Sequence, residues 1–223
     1  MQRLFDIIFS GLAILILSPL LLVICLVLRI TGEGKIFYLQ ERIGKYEKPI
    51  KILKFATMLK NSPNMGTGTV TIQNDPRILP LGKFLRKSKI NELPQLFNII
   101  NGDMSIIGPR PQTRRCFEAF PESAKDAIIS VRPGLSGIGS IFFRNEELML
   151  KDSDNAGEYY DKVIMPYKGQ LEQWYVKHYS IKIYFLLILA TFSVLRTNKV
   201  PINWPLFSTL PDVPIELQRF ISR

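Results

Sequence analysis

The chain has 223 residues, of which 47% are hydrophobic and 22% are charged, and its net charge is +10. This composition excludes a disordered chain and fits one sizeable domain, alone or with an anchor. Two cysteines, Cys25 and Cys116, are too few for a disulfide framework, and we expect both to be reduced thiols. The single histidine, His178, disfavours a zinc site and a histidine-based catalytic triad.

The positive charge is concentrated in one block of the sequence. Residues 35–115 contain 15 basic and 5 acidic residues, whereas the rest of the chain is neutral. Such a block attracts nucleic acid, anionic lipid headgroups or phosphorylated small molecules. We expect no nucleic-acid binding, because the sequence has no aromatic-basic recognition motif and begins with an apolar segment.

This apolar segment covers residues 5–30, and its charged residues, Asp6 and Arg29, lie at its two ends. As a helix it would be about 39 Å long, which exceeds the length that a membrane span needs. Its length and its flanking residues do not fit a secretory signal peptide. Ser18-Pro19 predicts a kink or break near the middle, where the serine hydroxyl can bond a freed carbonyl. Two topologies stay open: a kinked helix that spans the membrane, and a broken helix that enters one leaflet and returns.

Strands, a loop and two further helices can be predicted from the residue patterns after the apolar segment. Residues 36–44 and 48–55 have the composition of two short strands and predict a basic hairpin around Gly44-Lys45. Residues 61–75 are rich in Asn, Gly, Thr and Pro, which indicates a loop. Later in the chain, residues 163–178 predict an amphipathic helix, and residues 181–195 predict an interfacial or buried helix.

Residues 81–111 carry the residue types that phosphate chemistry needs. A basic cluster leads into predicted helices over residues 83–90 and 92–100, and the apolar stripe of the second helix is expected in the core. Glu92 would then lie in the first turn of that helix, with Asn91 at or beside its N-cap. The cluster consists of Lys83, Arg86, Lys87 and Lys89, and the stripe consists of Leu93, Leu96, Phe97 and Ile100.

Two interpretations of Asn91-Glu92 stay open. In one, the pair caps the helix and complements its dipole. In the other, the helix N-terminus and the nearby cations bind phosphates, and Glu92 holds the magnesium ion of a bound diphosphate. The Gly108-Pro109-Arg110-Pro111 turn is stiff, so its guanidinium suits bidentate contact with a phosphate. The glycines of residues 133–137 suit close approach of the backbone to a ligand.

Many short motifs in the same order make this sequence resemble the monotopic phosphoglycosyl transferase family of bacterial sugar transferases. The resemblance runs from residue 3 to about residue 139 and is weaker beyond. The matching residues are 3, 6, 18–19, 40–44, 54–55, 75–78, 85–87, 92–96, 102–105, 108–111 and 132–134.

The resemblance implies transfer of a phosphosugar from a UDP-sugar to polyprenol phosphate, the first membrane step of surface glycan assembly. It also implies magnesium, contact with membrane lipid, and a place on the cytoplasmic face of the bacterial inner membrane. The re-entrant topology, with both helix ends cytoplasmic, is therefore the one we expect. In the family mechanism an aspartate attacks the β-phosphate and releases the nucleoside monophosphate. Polyprenol phosphate then takes the phosphosugar from the enzyme.

Together these observations predict an α+β fold with three parts. Residues 1–34 are expected to form a re-entrant membrane helix broken at Ser18-Pro19. Residues 35–145 are expected to form the catalytic core, a small helical domain with a short β-hairpin. Residues 146–223 are expected to form interfacial amphipathic helices and a tail on the membrane surface. The oligomeric state stays open, with a homodimer as one candidate.

The resemblance also assigns roles to individual residues. We expect Glu92 to bind the metal ion, and the catalytic candidates are Asn91, Glu92 and Asp103. The predicted phosphate-binding residues are Lys54, Arg86, Lys87, Arg110 and Arg132.

The sequence departs from the family at the position of the nucleophile. The Asp-Glu pair of the family is Asn91-Glu92 here, and a neutral amide cannot serve as a carboxylate nucleophile. Three explanations stay open. In a natural subgroup Glu92 or Asp103 could replace the aspartate, or transfer could be direct. The chain could be an inactivated Asp-to-Asn variant, or it could bind nucleotide sugar or anionic lipid without turnover. We favour the natural subgroup, because residues 89–90 and 137–141 also differ from the commonest pattern.

Overall fold

The computed structural model describes residues 1–65, 75–150 and 155–221, and these residues form an α+β architecture in which helices predominate. The helices are α1 (Gln2–Ile30), α2 (Pro80–Lys87), α3 (Gln95–Asn101), α4 (Arg114–Glu118), α5 (Glu122–Ser130), α6 (Ile138–Phe142), α7 (Glu146–Leu150), α8 (Ala156–Tyr159), α9 (Met165–Lys177), α10 (Ile181–Thr197) and α11 (Ile215–Ile221). The strands are β1 (Phe37–Ile43), β2 (Pro49–Phe55), β3 (Ser105–Ile107) and β4 (Gly134–Ser136). Short 3₁₀ turns lie at Lys45–Glu47, Ser62–Asn64, Ile90–Glu92 and Pro205–Thr209, and a π turn at Tyr160–Ile164 joins α8 to α9.

Among the described residues, α1 is the one helix long and apolar enough to cross a membrane. Its secondary structure is helical on both sides of Pro19, so the chain does not leave the helix at the predicted break. Ser18 donates its hydroxyl to the carbonyl of Leu15 at 2.8 Å, which confirms the predicted bond at the proline. The re-entrant course of the helix stays a prediction.

The beginning of α1 is fastened to the folded body by a buried carboxylate. Asp6 accepts hydrogen bonds from the Ser105 hydroxyl at 2.8 Å, the Ile106 N–H at 3.0 Å and the Tyr184 hydroxyl at 2.9 Å. Arg3 donates to the carbonyls of α3 at Ile99 and Ile100. A carboxylate in an apolar helix is therefore explained by its partners in β3 and α10.

The end of α1 packs on the same body through apolar contacts. Ile24 and Leu28 are buried in a cluster with Phe55 of β2 and Leu85 of α2. The opposite face of the helix is apolar and exposed along its whole length, as at Leu15 and Leu26. A protein surface covers one face of α1, and the other face is suited to an apolar environment.

The predicted hairpin is confirmed. β1 and β2 pair antiparallel from Phe37 opposite Phe55 to Ile43 opposite Pro49. The connection is a 3₁₀ turn in which Tyr46 and Glu47 adopt positive φ angles of 56° and 57°.

The segment around Asn91 differs from the sequence prediction. Lys89 adopts a left-handed conformation with φ of 60° and starts a separate 3₁₀ turn, Ile90–Glu92. The next helix begins only at Gln95, with Pro94 at its N-cap position. The expectation that Asn91 caps this helix and that Glu92 lies in its first turn is therefore wrong.

The expected apolar stripe of α3 is also partly wrong. Leu96 and Ile99 are buried, whereas Phe97 and Ile100 are exposed. The reason is the packing partner: α3 lies against α1 and β2, and the residues facing them are Leu96, Asn98 and Ile99. Phe97 and Ile100 face away from this contact.

The main core lies in the C-terminal half. α9 is a helix as predicted, but most of its residues are buried, including Tyr167, Leu171 and Tyr175, so it is a core helix and does not lie on the surface. α10 buries Tyr184, Leu187, Ala190 and Val194 on one face. Its opposite face exposes Leu189, Phe192 and Leu195, so α10 is not fully buried, and its place at a membrane interface stays a prediction.

Candidate active site

A cavity of about 1580 Å³ lies between the hairpin, the Ile90–Glu92 turn, the 108–111 turn and α10. Its described lining contains eleven cationic and three anionic side chains. The cations are Lys35, Arg42, Lys54, Lys60, Lys83, Arg86, Lys87, Lys89, Arg110, Arg144 and Lys168, and the anions are Glu33, Glu92 and Glu146. A concave site with this charge balance attracts polyanionic ligands.

Glu92 lies at the centre of the cationic wall. Arg110 contacts both carboxylate oxygens, with Nη2 2.5 Å from Oε1 and Nη1 3.2 Å from Oε2. The Lys54 ammonium lies 3.9 Å from Oε1. Gln40 links two cations of the hairpin, since its side-chain oxygen accepts from Lys54 at 3.3 Å and from Arg42 at 2.8 Å. The sequence reasoning chose Lys54, Glu92 and Arg110, and the structure brings them together.

The charges in this group shift one another's proton affinities. Burial would raise the pKa of Glu92, but the charges of Arg110 and Lys54 outweigh burial and hold that pKa well below its usual range. Burial lowers the pKa of Lys54 to about 7, despite the neighbouring charge of Glu92. The charge of Glu92 raises the pKa of Arg110. At neutral pH, Glu92 is therefore ionised, Arg110 is charged, and Lys54 titrates.

The position of Arg110 is fixed by its backbone as well as by Glu92. The 108–111 turn follows β3, which pairs in parallel with β4. The Gly108 N–H donates to the Ser136 carbonyl at 2.9 Å, and the Gly134 N–H donates to the Pro109 carbonyl at 2.8 Å. The backbone N–H of Arg110 itself points at Glu172 Oε1, 3.4 Å away.

Glu172 is a residue that the sequence reasoning missed. It is buried on α9 behind Arg110, and its second oxygen, Oε2, has no hydrogen-bond partner among the described residues. Lys168, one turn earlier and also buried, pairs with Glu146 at 2.8 Å. The available signal was a lysine and a glutamate four residues apart in a segment that also holds Leu171, Trp174 and Tyr175.

We expect Glu172 to make stability depend on pH. Burial raises the pKa of Glu172 to about 7, above the ordinary 4.5. The folded state thus binds its proton more tightly than the unfolded state, and this contribution is complete below pH 4.5 and lost as pH rises through 7. Glu172→Gln removes the titration, so the variant does not lose this stability as the pH rises. The Tm of the variant minus the Tm of wild type should therefore be larger at pH 8 than at pH 5, by ~5 °C or more.

Scanning fluorimetry of the detergent-solubilised protein measures this difference. Glu122→Gln is the matched control, since that side chain is 88% exposed. A pH-independent difference for Glu172→Gln would contradict the buried, titrating carboxyl.

Asn91 lies in the wall of the same cavity, beside Glu92. It is 6% exposed, and its carbonyl oxygen Oδ1 is buried without a hydrogen-bond partner among the described residues. A buried unpaired carbonyl is costly in the unliganded protein. The Asn91 side chain therefore borders the cavity with its Oδ1 shielded from it.

The other predicted site residues divide into two groups. Arg86 and Lys87 line the cavity at the end of α2. Asp103 and Arg132 are not in its described lining: Asp103 accepts from Asn98 at 3.3 Å, and Arg132 donates to the Gly102 carbonyl at 2.8 Å. The structure thus places Asp103 and Arg132 together at the end of α3, on the segment that Arg3 also contacts.

The donors beside Glu92 fit a magnesium ion. Magnesium is usually held by one or two carboxylates, with substrate phosphates and water completing its coordination. Glu92 supplies a carboxylate, and each of its oxygens accepts from Arg110 and keeps a second lone pair for a cation. The described residues contain no group of three or more His, Cys, Asp or Glu side chains that could hold a metal ion.

The fold and the cavity define an α+β protein with a long apolar N-terminal helix and a cavity whose lining is mainly cationic. The chain belongs to the bacterial sugar transferase family, whose model matches residues 1–198.

The relatives of the chain include proteins of two sizes. An exopolysaccharide production protein ExoY from Sinorhizobium fredii is 38% identical over 159 residues, which are 65% of this chain and 70% of ExoY. The UDP-glucose:undecaprenyl-phosphate glucose-1-phosphate transferase of Escherichia coli is 33% identical over 195 residues, 86% of this chain and 40% of that protein. The UDP-N-acetylgalactosamine-undecaprenyl-phosphate N-acetylgalactosaminephosphotransferase of Aeromonas hydrophila is 32% identical over 198 residues, 88% of this chain and 43% of that protein.

Proposed function

We propose that this chain transfers a phosphosugar from a UDP-sugar to undecaprenyl phosphate, which yields UMP and a lipid diphosphate sugar. The observation that carries the proposal is the Glu92, Arg110 and Lys54 group in a cavity with eleven cationic side chains. Phosphoryl transfer depends mainly on positioning and on neutralising charge, and this wall supplies both. The named activities of the Escherichia coli and Aeromonas hydrophila relatives support the same reaction.

The residues of the site have separate roles in this proposal. Arg86 and Lys87 bind the anionic substrates at the entrance, while Arg110 and Lys54 contact the diphosphate. Glu92 orients Arg110 and is the proposed magnesium ligand. Magnesium, when bound, would neutralise charge that develops on the departing phosphate.

The test is release of UMP from a panel of UDP-sugars in the presence of undecaprenyl phosphate and magnesium. We expect one or more sugars to give UMP and a lipid-linked product in equal amounts. A different outcome would identify a non-catalytic binding protein. In that outcome the wild type binds UDP-sugar without releasing UMP, whereas Asn91→Asp releases UMP.

The attachment of α1 supports a re-entrant helix. Asp6 near its beginning bonds β3 and α10, and Leu28 near its end is buried against β2 and α2. Since both ends of the helix contact one folded body, we propose that both ends lie on the same side of the membrane, the cytoplasmic side that the family resemblance implies.

Single cysteines placed at the two ends test this topology. The exposed residues Leu4 and Ile30 are suitable sites in a background without Cys25 and Cys116. Both positions should react with a membrane-impermeant maleimide in inside-out vesicles and remain unlabelled in intact spheroplasts. Labelling of one position from outside would establish a spanning helix.

Lys54 should make substrate binding depend on pH. Burial lowers its pKa to about 7, so its positive charge is present below pH 7 and lost above it. At saturating undecaprenyl phosphate, kcat/KM for the UDP-sugar should fall as the pH rises above 7. The steepest fall should be about tenfold per pH unit, because a single group titrates. Lys54→Arg keeps its charge at every pH tested, so its profile should be flatter than that of wild type. Identical profiles would exclude titration of Lys54.

A further inference from the structure

The position that the family resemblance gives to the nucleophile holds a carboxamide in this chain. Asn91 lines the cavity, and its nitrogen lone pair is delocalised into the amide, so attack on phosphorus is unfavourable. Its Oδ1 is buried without a partner among the described residues. Asn91 thus lies in the cavity wall and does not supply a nucleophile.

The carboxylates in the described lining are each engaged. Both oxygens of Glu92 accept from Arg110, and this charged pairing makes the carboxylate a weak nucleophile. Glu146 pairs with Lys168, and Glu33 accepts the backbone N–H of Lys60. Each of the three carboxylates in the described lining therefore has a hydrogen-bonded or ionic partner.

The cavity has room and surfaces for two substrates together. Its volume of about 1580 Å³ exceeds the range of about 300–1,000 Å³ of pockets that hold one small ligand. One wall is cationic, with Lys54 and Arg110, and α10 contributes an apolar wall with Ile188, Phe192 and Leu195. Phe192 is 66% exposed, so the apolar wall continues to the protein surface. A lipid phosphate can follow α10 while a nucleotide diphosphate occupies the cationic wall.

The charge at position 91 favours the same arrangement. A carboxylate there would repel an incoming phosphate and would neutralise one of the cations of the wall. The neutral amide of Asn91 leaves the net positive charge of the lining available for two anionic substrates.

We propose that transfer in this chain is a single displacement in which undecaprenyl phosphate attacks the β-phosphorus of the bound UDP-sugar. This inference rests on the proposed function. A bond forms between an oxygen of the lipid phosphate and the β-phosphorus, and the bond from that phosphorus to the bridging oxygen breaks. The electron pair leaves on that oxygen, which becomes a phosphate oxygen of UMP. No oxidant and no covalent enzyme intermediate are needed, and the ionised lipid phosphate requires no base.

Isotope exchange distinguishes this route from a covalent one. The full-length protein is incubated with magnesium, a UDP-sugar that it turns over and radiolabelled UMP, with and without undecaprenyl phosphate. Without the lipid, label should pass from UMP into UDP-sugar at less than about 1% of the turnover rate measured with the lipid. The reason is that UMP release requires the acceptor. A family member with the Asp-Glu pair serves as the positive control for exchange.

Two further measurements accompany the exchange. Initial rates with both substrates varied should give intersecting double-reciprocal lines, and the intact mass with UDP-sugar alone should show no phosphosugar adduct. Exchange without lipid, parallel lines or an adduct would overturn the single displacement while leaving the proposed function in place. Failure to form any lipid-linked product would remove the proposed function itself, and this inference with it.

Discussion

Replacing Glu92 with Gln is expected to lower kcat by about 10²–10³-fold, the size of effect seen when one preorganised hydrogen-bond donor is removed from an oxyanion hole. The carboxylate holds Arg110 through contacts of 2.5 and 3.2 Å and lies 3.9 Å from Lys54. An amide can accept from Arg110 but lacks the charge that opposes repulsion among Arg110, Lys54 and Arg42, which face one another here.

The measurement is UMP release under saturating substrates, with Tm measured in parallel. Glu118→Gln is the matched control, because Glu118 is an exposed acid on α4. Loss of turnover at unchanged Tm assigns the effect to the site. Full activity in Glu92→Gln would remove the proposed role of this carboxylate.

Part of this site could be predicted from the sequence, because its components lie in short segments with local constraints. Two prolines flank Arg110 and limit its backbone, and a basic cluster precedes Glu92. The pairing of Glu92 with Arg110 joins residues 18 positions apart, and it depends on β3 pairing with β4. Local patterns do not contain that information.

The errors have a similar cause. The stripe on α3 was assigned from spacing alone, yet Phe97 and Ile100 face outward because α1 and β2 cover the other side. Glu172 was missed because its role is to accept the N–H of Arg110, a contact 62 residues away in sequence. Buried polar residues acquire their function from tertiary partners, which periodicity does not predict.

The glycine-rich turn 133–137 illustrates the same point and leads to the second large effect. The sequence indicated close approach of its backbone to a ligand, whereas the structure shows close approach to the backbone of the 108–111 turn. A Cβ at Gly134 would overlap the Gly108 nitrogen and the Ser136 carbonyl and lie 2.5 Å from the Gly108 carbonyl oxygen. These are backbone atoms of the β3–β4 pair, so they cannot move aside without breaking that pair.

Gly134→Ala is therefore expected to cost about 4 kcal/mol or more of unfolding free energy, in the range reserved for severe overpacking or strain. Whatever folded protein remains should have little activity, because the turn that carries Arg110 is displaced with β3.

Gly157→Ala is the matched control: it lies in α8, and its new Cβ would meet its nearest neighbour, Asn155 Oδ1, at an ordinary 3.6 Å. The measurement is Tm and UMP release for both variants in one detergent. Because β3 also bonds Asp6 of α1, loss of this strand pairing should release the beginning of α1 and increase its proteolysis in parallel. A stable, active Gly134→Ala protein would show that the close contact between β3 and β4 is not required to position Arg110.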